Sequence, residues 1–65
     1  MIEEFCRVLK ERLREQAETE TRGLSRGAAK DYAAYQYSCG VLRGLELAEE
    51  ELRDLLSAAR KADDL

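Results

Sequence analysis

The chain has 65 residues, 11 Lys and Arg against 14 Asp and Glu for a net charge of −3, no histidine, no proline, and two cysteines, Cys6 and Cys39. A chain this short buries only about 60% of the surface it exposes when unfolded, so its core is marginal unless a disulfide, a metal or a partner chain adds to it. Without histidine and with two thiols at most, a zinc or haem site is excluded and no cofactor is expected.

The charge is uneven. Residues 1–30 carry seven basic and six acidic side chains, and residues 31–65 carry four basic and eight acidic. A near-neutral half followed by an acidic one lacks the net basic face that nucleic acid requires, so nucleic acid is not an expected partner. Glu3 and Glu4 stand where a secretory leader would carry basic residues, and no apolar segment follows, so no signal peptide is expected. No run of about 18 apolar residues occurs, so no transmembrane segment is expected, and a reducing cytosolic setting with both thiols free is the default.

In chain order, the first element is an amphipathic helix over about 2–22. Ile2, Phe5, Cys6, Leu9, Leu13 and Ala17 fall in an arc of about 120°, with Val8 outside it and Glu, Arg and Lys around the rest. Gly23 is the expected left-handed residue that ends it, and Ser25 the expected cap of the next helix. A second helix over about 28–62 follows without a strong breaker, fraying from Asp63 to Leu65. Its apolar positions repeat every seven residues as 34/41/48/55 and 38/45/52/59, with 35, 42 and 56 alongside.

Residues 1–65 therefore read as a single all-α domain, an antiparallel helical hairpin of a short first helix and a long second one. With the turn near residue 24, paired positions total about 48, and the first helix runs out opposite about residue 47. On that register Leu52, Leu55, Leu56 and Ala59 continue the stripe without a partner from their own chain. The expected protein-interaction surface is accordingly Gly40, Val41, Gly44, Leu45, Ala48, Leu52, Leu55, Leu56 and Ala59. Gly40 and Gly44 each cost about 1 kcal/mol relative to alanine inside a helix, which close approach of a second backbone would explain.

The remaining candidate chemistry is thin. Tyr32, Tyr35 and Tyr37 do not share one helix face, so they form no platform for stacked bases. Cys6 and Cys39 come to similar heights on that register, but Cys39 points away from the stripe, a poor geometry for a bridge. Glu46, Glu49, Glu50, Glu51 and Asp54 lack the loop of alternating oxygens that calcium prefers and read as a solvated face. No nucleophile–base pair, paired acid and base, or phosphate loop is present, so no enzymatic activity is expected.

The run RGAAKDYAAYQYSCGVLRGL, preceded by a charged amphipathic helix, resembles small helical proteins of tailed bacteriophages. These share a K-D-Y-x-x-Y-x-x-x-x-G-x-x-x-G-L core and are often encoded among virion structural genes. The resemblance covers about residues 26–50 and carries no catalytic residue. It implies a non-enzymatic structural or assembly component of a phage particle, packing onto itself or onto a larger phage structural protein. Its location would be the host cytoplasm during assembly and the virion. The alternative is a small intracellular regulator that binds a host or phage protein through an amphipathic helix.

Overall fold

A computed structural model describes residues 1–64, with side chains described through residue 62. Two helices make up the fold: α1 over Ile2–Ser25 and α2 over Tyr32–Asp64, joined by residues 26–31. They lie antiparallel as an all-α helical hairpin, one layer thick, with extents of 52 × 16 × 12 Å. α2 stays helical through Asp63 and Asp64, where fraying was expected; Leu65 lies outside the described residues.

The turn sits several residues later than the sequence suggests. α1 continues through Gly23, and the left-handed residue is Gly27, with φ 76°. The Ala28 amide donates to the Gly23 carbonyl at 3.0 Å and the Gly27 amide to the Leu24 carbonyl at 3.0 Å. Together these are the paired bonds of a Schellman motif with Gly27 at C′. The extra turn brings Leu24 to a half-buried position, an apolar gain that ending at Gly23 would forfeit.

Ser25 does not cap α2. Its hydroxyl donates back to the Arg22 carbonyl at 3.0 Å, within its own helix. The cap is Asp31, whose Oδ1 accepts the Ala34 amide at 2.8 Å. A carboxylate both satisfies an orphan donor and meets the positive end of the helix dipole, which is why it succeeds where a hydroxyl six residues earlier does not.

The later turn changes the register. Arg14 Nε stands 3.8 Å from Glu49 Oε1, and Arg60 Nε stands 3.6 Å from Glu3 Oε1. Paired positions thus total about 63 near the chain ends, and about 57 beside the loop, where Gly23 and Ala34 line one groove. The register of about 48 is overturned. α1 reaches the level of Arg60, and Leu52 and Leu56 are half-buried, not left without a partner from their own chain.

Along α1 the half-buried seam is Cys6, Lys10, Leu13, Ala17, Glu20 and Leu24. Spaced alternately by four and three, these positions form a narrow stripe of the coiled-coil kind. Ile2 and Phe5, expected in the core arc, are 72% and 69% exposed. An arc of about 120° is wider than one neighbouring helix covers, so half of it stays outside, while the aliphatic stems of Lys10 and Glu20 cover the seam instead.

On α2 the half-buried seam runs Ala34, Ser38, Val41, Leu45, Ala48, Leu52, with Leu42, Glu49 and Leu56 joining on one side. A straight helix drifts about 20° per heptad against a strict seven-residue repeat. By the fourth heptad Leu55 has rotated out, to 65% exposure, and Leu56 has rotated in.

The turn makes a paired prediction. Gly27→Ala forces an L side chain to a positive φ and should cost about 1–2 kcal/mol. A Cβ on Gly23 would meet only Ala28 Cβ at 3.9 Å, an ordinary contact, so Gly23→Ala should stabilise by up to about 1 kcal/mol. Thermal melts followed by circular dichroism should move in opposite directions, by about 4–8 °C per kcal/mol in a domain this small. Equal shifts of one sign would place the turn elsewhere.

Candidate functional site

The two flanks of the α1–α2 seam differ in chemistry. One flank carries the interhelical ion pairs Arg14–Glu49 and Glu3–Arg60. The groove beside them is lined by Glu3, Glu4, Arg7, Lys10, Arg53 and Arg60, among others. Exposed pairs of this kind contribute about 0–1 kcal/mol each, so they set register more than stability.

At about 100° per residue, Phe5 lies opposite Arg14 on α1, and Gly44 lies opposite Arg53 on α2. Both therefore fall on the other flank. That flank carries Phe5 and Leu9 from α1, and Tyr37, Gly40, Gly44 and Leu55 from α2. A groove of Thr19, Gly23, Ala34 and Tyr37 joins the two helices there, and Phe5, Val8, Leu9 and Arg12 line a second hollow. The result is a hairpin with the interhelical ion pairs on one broad face and the exposed Phe5, Leu9, Tyr37 and Leu55 on the other, where Arg12 and Gln16 interrupt the apolar residues.

Of the expected interaction residues, Val41, Leu45, Ala48, Leu52 and Leu56 are half-buried along the seam with α1. Gly40, Gly44, Leu55 and Ala59 are exposed. A Cβ on Gly40 or Gly44 would meet nothing within 4 Å, so neither glycine admits α1. Ile2, Phe5 and Leu9 belong to the exposed surface, although the sequence pattern puts them in the core. The signal that could have placed them was the width of their arc, too broad for a single neighbour.

The tyrosines are exposed, at 72% for Tyr32, 48% for Tyr35 and 75% for Tyr37. Tyr32 and Tyr35 stack one helical turn apart, with centroids 6.3 Å apart and planes at 24°. The Tyr32 hydroxyl accepts from Gln36 Nε2 at 2.9 Å. The side chain of Cys39, one turn on, pushes the Tyr35 hydroxyl above its ordinary pKa, through hydrogen bonding first and electrostatic repulsion second. On α1, Arg7 bonds Glu4 and also reaches Glu11 at 2.8 Å. The hydrogen bond from Arg7, and then its charge, hold the Glu4 carboxyl below its ordinary pKa. Whatever stability that gives is present above the unfolded pKa of the carboxyl and lost as pH falls through the folded value.

Among the described residues, no group of three or more His, Cys, Asp or Glu side chains is placed to hold a metal ion, and no helix is long and apolar enough to cross a membrane. No family model, curated protein or solved structure matches the chain.

The register also separates the cysteines. Residues of α2 level with Cys6 lie about 12–18 positions beyond Cys39, or about 18–27 Å along the axis. An intrachain bridge needs Cα atoms within about 7 Å, so the similar heights expected from the earlier turn are overturned. Both thiols are free. Mild oxidation should therefore yield no monomer lighter by two hydrogens in intact mass spectra. Such a species, formed without loss of helicity, would refute the register.

Proposed function

We propose that this chain is a non-enzymatic structural or assembly component that acts through helix–helix packing, and that its place is a bacteriophage particle. One observation carries the packing reading: no described residue is fully buried, while Phe5 and Leu55 stand 69% and 65% exposed on one face. Burying a side chain of this size is worth about 1.5–3 kcal/mol. A hairpin that leaves such residues in water gains its largest increment of stability by association. An exposed apolar face bordered by charged side chains is the usual mark of an interaction surface.

The phage assignment rests on the resemblance of about residues 26–50 to small helical proteins encoded among virion genes. Its K-D-Y segment has a structural reason to recur, because Asp31 caps α2 and Tyr32 opens it. That logic is one of folding, and the particle is the setting that the resemblance supplies.

The test is quantitative mass spectrometry of gradient-purified particles from cells producing the phage that encodes the chain. A component should appear at a constant copy number per particle across the peak. Loss of the chain on successive gradients would remove the particle from the reading and leave the packing surface to an intracellular partner.

A further inference from the structure

We propose that the apolar face is covered by a second copy of this chain, laid face to face and antiparallel, so that two hairpins close a four-helix bundle. The inference rests on reading the chain as a packing module and commits that module to one partner.

The first argument is area. A compact monomer of 7.4 kDa exposes about 4,200 Å². This chain exposes 5446 Å², an excess of about 1,200 Å² over that compact reference. Two copies that each covered the excess would remove about 2,400 Å² in total, within the range of obligate homodimer interfaces.

The second argument is self-complementarity. The face is bulky at one end, where Phe5, Leu9 and Leu55 stand out, and at the other Gly23, Gly40 and Gly44 leave a hollow beside the exposed Tyr37. A two-fold axis crossing the hairpin near Ala48 lays the bulky end of each copy on the hollow end of the other. Leu55 of one copy then comes over the stretch from Gly40 to Gly44 of its partner, and Phe5 comes over the C-terminal half of the partner's α1. Each contact occurs twice, as an isologous interface requires. This arrangement also accounts for the two mid-helix glycines. Nothing within the chain approaches either one, yet each weakens α2 by about 1 kcal/mol.

The experiment is sedimentation equilibrium of the full chain, with circular dichroism on the same samples. Wild-type protein should run at twice 7.4 kDa. Leu55→Glu should raise the dimer dissociation constant about a hundredfold or more, since each dimer loses two buried leucines. Gly44→Leu should also break the dimer, although leucine favours the isolated helix and has open space in the single hairpin. Glu46→Gln, on the charged face, should leave the dissociation constant within about twofold. A well-folded wild-type monomer at high concentration would overturn the proposal. So would a dimer indifferent to both Leu55→Glu and Gly44→Leu. Absence of the chain from particles would leave these measurements untouched, so the two readings fail separately.

Discussion

One α-helix covers only a narrow stripe of its neighbour, and the rest of this structure follows from that limit. Each helix has apolar residues over a wider arc than the other can cover. The seam takes Leu13, Ala17 and Leu24 from α1 and Val41, Leu45 and Leu52 from α2, none of them fully buried. What the seam cannot reach stays in water, with Phe5, Leu9, Tyr37 and Leu55 gathered on one flank. The exposed face is thus the part of each amphipathic arc that the other helix leaves uncovered.

The turn decides which residues make up that remainder. Gly27, left-handed at φ 76°, and Asp31, capping α2, together move the reversal several residues beyond Gly23. That shift brings α1 level with Arg60 and supplies Leu52 and Leu56 with a neighbour from their own chain. It also moves the exposed apolar surface. The surface is not the far end of one long helix; it is a flank shared by both. Charge reinforces the division, because the ion pairs Arg14–Glu49 and Glu3–Arg60 occupy the opposite flank, where an apolar partner would have to desolvate them.

Within that frame the glycines have distinct roles. Gly27 is required by backbone conformation, and Gly23 merely tolerates a helix that runs through it. Gly40 and Gly44 answer to neither need. They lie on the apolar flank with open space above them, so their cost to α2 has no compensation inside a single hairpin.

Composition and periodicity alone determined the all-α hairpin, because heptad spacing, the absence of proline and the Leu-, Ala- and Glu-rich segments are local properties that each helix expresses by itself. The residues for capping and turning were visible too, but with four glycines and several polar candidates the sequence offered more than one turn. Choosing Gly27 and Asp31 over Gly23 and Ser25 took the packing of Leu24 and the pairing of α1 against α2. The outward position of Leu55 was equally a tertiary outcome. A 3.6-residue helix slips about 20° per heptad against a seven-residue pattern, and only the placement of the other helix shows where along α2 that slip carries a leucine out of the seam.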